Sequence, residues 1–137
     1  MENFLVEVYA IIENDGKVLA LLKKSTDGFS ADKWSLPGGL MKFGEDAIDA
    51  LKRNVKETCG LDIDVLSPID VAVDIDEDKK KQTVAITYVC EFKSGQAKPS
   101  KEYKECKWCD PKKIPELEEL DWVMEKSIYP YIELISA

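Results

Sequence analysis

One stretch, residues 38–61, constrains the fold of this chain more than any other. It opens with Gly38 and Gly39, where the missing side chains let the backbone approach a neighbour or a ligand closely. A segment with helical spacing follows, in which Asp46 can cap the first turn and Gly60 suits a left-handed C-terminal position. The apolar residues that recur every fourth position, and so predict one buried helix face, are Ala47, Leu51, Val55 and Cys59. The stretch predicts a glycine turn followed by an amphipathic helix.

The same stretch carries the spacing of a known signature, G-x5-E-x7-R-E-U-x-E-E-x-G-U, where U is a bulky aliphatic residue. The residues that match it are Gly39, Glu45, Arg53, Val55, Glu57, Gly60 and Leu61, and residues 34–38 resemble its usual lead-in. The stretch therefore resembles the Nudix box, the signature of hydrolases that cleave nucleoside diphosphates linked to another moiety. This resemblance implies an α/β/α sandwich with a mixed β-sheet between helices.

Two positions depart from the Nudix pattern. Asn54 stands where the family has a glutamate after the arginine, and Thr58 stands where it has the second of two adjacent glutamates. In the family these carboxylates help to hold divalent metals. Helix positions 54, 57 and 58 share one face, so their oxygens can still reach the same place. Because two negative charges are missing, we expect a lower affinity for the metal.

The resemblance also implies a site for Mg²⁺ or Mn²⁺ and for a small nucleotide substrate. The residues expected to hold the metal are Glu57, Glu45, Asn54 and Thr58. Those expected to take part in catalysis are Glu57, Arg53, Glu45 and Glu105, the last being preferred to Glu102 as the further loop glutamate that family enzymes often recruit. Those expected to contact the substrate are Gly38, Gly39 and Lys23. Without the motif, Arg53 would be read as a surface ion pair and Lys23 as a solvated strand end.

The rest of the chain predicts strands around this helix. Asn14-Asp15-Gly16 is a strong hairpin signal between two β-rich runs, and a wholly charged segment, residues 76–81, predicts a second hairpin tip. Asp121 is expected to cap a C-terminal helix that Pro130 kinks or restarts. The further β-patterned segments are 62–65, 71–75, 82–92 and 104–109. With 137 residues and 45% hydrophobic content, the prediction is one α/β (α+β) domain over residues 1–137.

Composition excludes several classes of function. The net charge of −8 argues against binding to polymeric nucleic acid, although a metal can neutralise a small nucleotide locally. No histidine is present, which removes catalytic triads and zincin sites that use it. Cys106 and Cys109 form a C-x2-C pair without further zinc ligands, so reduced structural cysteines are expected. The apolar run at residues 5–12 is too short to span a bilayer, and a cytoplasmic location is expected.

Three functions remain open from the sequence. The first is a Mg²⁺-dependent Nudix-type hydrolase that cleaves a diphosphate linkage slowly. The second is a nucleotide-binding or regulatory module that keeps the fold but has lost efficient catalysis, which Asn54 and Thr58 favour. The third, a protein-interaction domain on the same scaffold, has no specific support in the sequence. A homodimer is also left open, and the sequence does not identify the substrate.

Overall fold

A computed structural model describes residues 2–137 of the chain. One mixed sheet lies between two helical layers. Its strands are β1 (Asn3–Asn14), β2 (Lys17–Lys23), β3 (Lys33–Ser35), β4 (Gly38–Leu40), β5 (Asp62–Asp76), β6 (Lys81–Ser94) and β7 (Tyr103–Cys109). The helices are α1 (Ala47–Cys59), a 3-10 helix (Pro111–Glu116) and α2 (Trp122–Ser136). The predicted α/β/α sandwich with a mixed sheet is therefore confirmed.

The predicted hairpin between β1 and β2 opens soon after its turn. The two strands pair next to the turn, at Glu13–Val18 and Asn14–Lys17. Further along, β4 pairs with β1 and β3 pairs with β2, so the segment from β3 to β4 fills the gap between the two strands. This insertion places the glycine turn inside the sheet, beside α1.

The other half of the sheet is more regular. β1 runs parallel to β6 along most of its length, and β6 pairs antiparallel with β5, which forms the edge. The sequence predicted β structure at residues 62–65 and 71–75, and the structure joins both segments in one strand, β5, which is continuous from Asp62 to Asp76. Register shifts on either side of Pro68 absorb the missing N–H, as a bulged edge strand permits.

Helix α1 forms as its sequence predicts. The Asp46 side chain accepts a hydrogen bond from the Asp49 N–H at 2.9 Å, and Gly60 ends the helix with a φ of 77°. Leu51, Val55 and Cys59 are fully buried against the sheet. Burying such side chains stabilises the fold by about 1.5–3 kcal/mol each, which fixes α1 against β1 and β4.

Helix α2 covers the opposite face of the sheet. It is continuous through Pro130, so the expected restart of the helix after the proline is wrong. Ile128 and Tyr131, on either side of the proline, are buried in the same core. Their packing offsets the one backbone hydrogen bond that proline cannot donate.

The cysteines behave as structural residues. All four are free, and Cys106 packs against the α1 layer whereas Cys109 belongs to the α2 layer. Side chains three apart in a strand point to opposite faces, so this pair cannot hold one metal between them. Among the helices of residues 2–137, none combines the length and the apolar run that crossing a bilayer requires.

Candidate functional site: a cleft beside the glycine turn

The glycine turn packs too closely for any side chain. A Cβ on Gly38 would lie 2.1 Å from the Val8 carbonyl oxygen, and one on Gly39 would lie 2.6 Å from Asn54 Oδ1. The turn is held in the sheet by a hydrogen bond from the Ala10 N–H to the Pro37 carbonyl, at 2.9 Å. These contacts bring the backbone of β4 directly against α1.

Arg53 joins this turn to the start of α1. Its guanidinium donates two hydrogen bonds to Glu45, from Nε at 2.7 Å and from Nη2 at 2.9 Å, and one from Nη1 to Glu57 at 3.1 Å. Nη2 also donates to the Leu40 carbonyl at 3.0 Å. Hydrogen bonds from Arg53, and then from the Lys42 N–H, lower the pKa of Glu45 to about 2. Glu45 is therefore an anion that is fully engaged by its own loop and helix.

The two residues that depart from the pattern have structural partners. Asn54 is 7% exposed, and its amide donates to the carbonyls of Leu40 and Ala50, both at 3.0 Å. The Leu40 carbonyl consequently receives donors from both Asn54 and Arg53. The Thr58 hydroxyl donates to the Asn54 carbonyl at 2.8 Å. Both side chains therefore donate their hydrogen bonds to backbone carbonyls of the motif itself.

A cleft of ≈ 350 Å³ opens between α1 and the start of α2. The predicted residues that line it are Lys23, Gly38, Gly39, Asn54, Glu57 and Thr58. Glu57 is exposed and has Arg53 as its ion-pair partner. Arg53 and Glu45 are not among the lining residues, so they act on the cleft through Glu57 and the Leu40 carbonyl.

Glu105, expected in the site, does not line the cleft, and Glu102 lines it instead. Glu105 lies in β7 opposite Leu22. The pairing of β2 with β7 is regular from Cys109 to Glu105, and Cys106 packs on the face that carries α1, so the alternation of side chains directs Glu105 to the opposite face. Glu102 precedes the strand, and its carbonyl accepts a hydrogen bond from the Lys24 N–H at 3.0 Å, beside Lys23.

The wall opposite α1 contains residues that sequence reasoning missed. Glu7 and Tyr9 of β1 and Asp121 at the start of α2 line the cleft, and the Tyr9 hydroxyl donates to Glu7 Oε1 at 2.9 Å. Burial raises the pKa of Asp121 to about 6, and burial also raises the pKa of Tyr9. The sequence offered two signals for this wall: Glu7 interrupts the apolar run of β1, and Asp121 caps α2. The burial of Asp121 cannot be read from the sequence.

The carboxylates of the cleft limit how a divalent cation can bind. Within residues 2–137, no three Asp, Glu, His or Cys side chains come close enough together to hold a metal ion. Of the four predicted ligands, Glu57 alone presents a carboxylate to the cleft, because Glu45 is bound by Arg53 while Asn54 and Thr58 are neutral. The donor set does not fit a metal held by protein alone. It fits Mg²⁺ bound by one or two carboxylates, retained waters and phosphate oxygens of a ligand.

Comparison with known proteins decides the family. The sequence model of the NUDIX domain family matches residues 3–131 of this chain. The chain belongs to the Nudix family. Both the resemblance read from the sequence and the fold class that it implied are therefore confirmed.

The similar proteins include named Nudix enzymes. An ADP-ribose pyrophosphatase from Methanocaldococcus jannaschii is 32% identical over 112 residues, which cover 82% of this chain and 65% of that protein. The chain thus spans less than two thirds of that relative's length. Nucleoside triphosphatase NudI from Escherichia coli is 26% identical over 116 residues, covering 78% of this chain and 82% of that protein.

A solved structure shares the whole Nudix fold. The crystal structure of the MutT protein from Methanosarcina mazei Go1 has a TM-score of 0.83 at 23% identity, covering 99% of this chain and 98% of that chain. At this identity the likeness shows the fold alone. It agrees with the sheet and the two helical layers described above.

Proposed function

We propose that the chain is a Nudix-type hydrolase that cleaves a diphosphate linkage in a nucleoside diphosphate derivative, slowly and with Mg²⁺ or Mn²⁺. The observation that carries this proposal is the cleft itself, which brings the exposed carboxylate of Glu57 together with Gly38, Gly39 and Lys23. The ADP-ribose pyrophosphatase and nucleoside triphosphatase relatives support an anhydride bond between phosphates as the target.

Each residue has a role that its surroundings support. Gly38 and Gly39 present the backbone of β4 to the cleft, where phosphates could contact it, and Lys23 offsets the phosphate charge. Arg53 holds Glu57 through the 3.1 Å bond and so positions it. Glu102 lines the same cleft as Lys23, which supports it as the carboxylate that takes a proton from the attacking water.

The acidic charge of the cleft supports the proposal that a divalent cation binds together with the substrate. Glu7, Glu57, Glu102 and Asp121 line it against the positive charge of Lys23, and this acidic excess alone would repel a diphosphate. We infer that Mg²⁺ or Mn²⁺ would be held by Glu57 and by the phosphates. Such an ion would offset charge on the phosphate oxygens and orient water. Metal affinity should therefore be weak without the nucleotide and stronger with it.

The test is a panel assay with matched variants. Purified protein with Mg²⁺ or Mn²⁺ should release phosphate, pyrophosphate or a nucleoside monophosphate from at least one member of a panel of nucleoside triphosphates, ADP-ribose, dinucleoside polyphosphates, NADH and coenzyme A. Glu57→Gln should lower kcat at least about 100-fold, whereas Glu133→Gln, an exposed glutamate of α2, should leave it unchanged. Inactivity of the wild-type protein across the whole panel would contradict the proposal.

A second function, a nucleotide-binding or regulatory module, has one observation in its favour. The residues at positions 54 and 58 are neutral and their protons are bonded to the backbone, so the acidic cluster expected of an efficient enzyme is incomplete within residues 2–137. Calorimetric titration separates the two functions. Saturable binding of a panel nucleotide without any turnover, and without loss of binding in Glu57→Gln, would support the module.

A further inference from the structure

The loop between β6 and β7, residues 95–102, closes the C-terminal end of α1. The Lys98 N–H donates to the Cys59 carbonyl at 3.0 Å, and the Ser100 N–H donates to the Thr58 carbonyl at 2.9 Å. The last carbonyls of a helix have no partner within the helix, and here the loop backbone supplies donors for two of them. We call this pair of hydrogen bonds the helix–loop junction.

The start of the loop is packed tightly against the end of α1. Gly95 has a φ of 106°, in the region that favours glycine, and a Cβ there would lie 2.8 Å from the Gly60 carbonyl oxygen and 3.4 Å from Leu61 Cα. Gly60 ends the helix and Leu61 is buried in the core. The absence of a side chain at position 95 therefore lets the loop begin directly beside the end of α1.

The end of the loop fixes the backbone of Glu102. Residues 100–103 form a turn in which the Tyr103 N–H donates to the Ser100 carbonyl at 3.0 Å, and Tyr103 is buried in the core under α1. The Glu102 carbonyl accepts a hydrogen bond from the Lys24 N–H. The Glu102 side chain is exposed in the cleft and has no ion-pair partner among residues 2–137. The backbone of the loop therefore determines where this carboxylate lies.

The helix–loop junction connects the two carboxylates that the proposed reaction needs. Glu57 directly precedes Thr58, whose carbonyl accepts the Ser100 N–H, and Ser100 lies two residues before Glu102. All four of these residues line the same cleft. A short connection thus runs from one carboxylate to the other through a single hydrogen bond between backbone groups.

We propose that Gly95 and Ser100 are positioning residues, which hold the loop against the end of α1 and so set the distance between Glu57 and Glu102 in the cleft. This inference rests on the proposed function, in which Glu57 holds the cation and Glu102 takes the proton of the attacking water. A shift of about 1 Å in a reacting group can cost about 100-fold in rate. Gly95 acts by lacking a side chain and Ser100 acts through its N–H, so both should affect turnover more than substrate affinity.

The same contacts also cap α1, and a cap can serve stability alone. Loss of a simple cap would lower the free energy of unfolding because helix carbonyls lose their donors, without a specific effect on the chemical step. Positioning is favoured because the anchored loop continues directly into the turn that carries Glu102. Catalysis and stability therefore have to be measured separately, by steady-state kinetics and by urea denaturation.

The first test displaces the start of the loop. Gly95→Ala places a Cβ against the Gly60 carbonyl, whereas Gly16→Ala, at the tip of the β1–β2 hairpin, adds a Cβ at a φ of 78° that meets no heavy atom within 4 Å. Both changes impose backbone strain, so the difference between them reports the displaced loop. With a panel substrate that the wild type cleaves, Gly95→Ala should lower kcat by about 10-fold or more and change KM by less than about 3-fold. Gly16→Ala should leave both unchanged.

The second test removes one donor of the helix–loop junction. Ser100→Pro deletes the N–H that bonds the Thr58 carbonyl, whereas Ser100→Ala keeps this N–H and loses only the hydroxyl. The proline variant should show the same loss of kcat as Gly95→Ala, about 10-fold or more, and the alanine variant should lose less than about 3-fold.

A double-mutant cycle separates positioning from capping. If Gly95 acts through Glu102, the loss of kcat caused by Gly95→Ala should shrink to less than about 3-fold when Glu102→Gln has already removed the proton acceptor. Single-turnover assays detect the slow double variant. If the loop only caps α1, the loss caused by Gly95→Ala should be equal with and without the Glu102 carboxylate.

Hydrogen exchange tests the helix–loop junction without any variant or substrate. In the wild-type chain the amides of Lys98 and Ser100 should exchange at least about 100-fold more slowly than in an unstructured peptide, because both are hydrogen-bonded to α1. Exchange as fast as in such a peptide would show that the junction is open in solution and would overturn the inference.

Two kinetic results would overturn the inference and leave the proposed function standing. One is an active wild type whose kcat changes by less than about 3-fold in both Gly95→Ala and Ser100→Pro. The other is an equal loss of kcat with and without the Glu102 carboxylate. A wild type that is inactive across the whole panel would instead contradict the proposed function, and this inference would fall with it.

Discussion

The two sides of the cleft differ in how the protein shifts the pKa of carboxyl groups. Behind the α1 wall, outside the lining of the cleft, hydrogen bonds from Arg53 and the Lys42 N–H lower the pKa of Glu45 to about 2. On the wall formed by β1 and the start of α2, burial raises the pKa of Asp121 to about 6. On the first side, charged side chains form hydrogen bonds with one another close to solvent. The second is built from groups that the fold has withdrawn from water.

This difference shows what a sequence motif records. The α1 wall depends on residues within one short stretch, so spacing alone reveals Arg53, Glu45 and Glu57. The opposite wall depends on burial, which arises only when β1, the loop before α2 and the glycine turn come together. A sequence motif therefore reveals side chains that pair within one short stretch. It does not reveal which side chains become buried when distant segments pack together.

The largest effect is expected at the turn that sets the distance between the walls. Gly38→Ala places a Cβ 2.1 Å from the Val8 carbonyl oxygen, so the backbone of β4 must shift. We expect a loss of about 3 kcal/mol or more in the free energy of unfolding, measured by urea denaturation.

Gly44→Ala is the matched control. Gly44 has a φ of 90°, but a Cβ added there would meet no heavy atom within 4 Å, so only backbone strain opposes the change. It should cost about 1 kcal/mol. Equal losses for the two variants would show that β4 is not packed tightly between the walls.

The next largest effect is expected on the free energy of unfolding, through Asp121 on the wall formed by β1 and the start of α2. Because the pKa of Asp121 is raised in the folded state, from 3.8 to about 6, its ionisation opposes folding. The penalty is absent below about pH 4, grows as the pH rises from there to about 6, and is nearly complete at about pH 7. Asp121→Asn should therefore stabilise the protein at about pH 7, on the order of 2 kcal/mol, and have little effect at about pH 3.5.

Asparagine suits this test because it keeps the helix cap that Asp121 provides to the Met124 N–H at 2.8 Å. Asp110→Asn, an exposed cap of the 3-10 helix, is the control and should show no comparable pH dependence. Thermal melts between about pH 3.5 and pH 8 supply the measurement. A gain in stability that is the same at every pH would contradict the burial of Asp121 as its cause.

The smallest effect is expected on the α1 wall. Asn54→Glu with Thr58→Glu restores both carboxylates of the Nudix pattern, and we expect Mg²⁺ affinity to rise by about 10-fold and turnover to rise with it. The same change removes the donors from Asn54 to the Leu40 and Ala50 carbonyls, so metal-free protein should be less stable by about 1–2 kcal/mol.

Lys52→Glu with Lys56→Glu places two added carboxylates at exposed positions of α1 and serves as the control. It should leave Mg²⁺ affinity, measured by calorimetry, nearly unchanged. If the restored variant bound Mg²⁺ no better than this control, the cation would not be held at positions 54 and 58 at all.

The sequence predicted the sheet, both helices and the caps of α1 because these follow from local patterns. It did not predict that β5 continues through Pro68, where register shifts in the edge strand accommodate the proline, or that α2 continues through Pro130, where packing on both sides outweighs local preference. In the site it placed Glu105, which does not line the cleft, because the spacing of residues does not show which face of β7 a side chain occupies. The single domain over residues 1–137, the cytoplasmic location and the homodimer stay predictions.

The hydrogen bond from the Lys24 N–H to the Glu102 carbonyl ties the chain directly after β2 to the turn before β7. This hydrogen bond holds together the backbone segments that carry Lys23, the proposed phosphate contact, and Glu102, the proposed proton acceptor. Shortening or lengthening the turn at residues 100–102 would therefore displace Glu102 relative to Lys23.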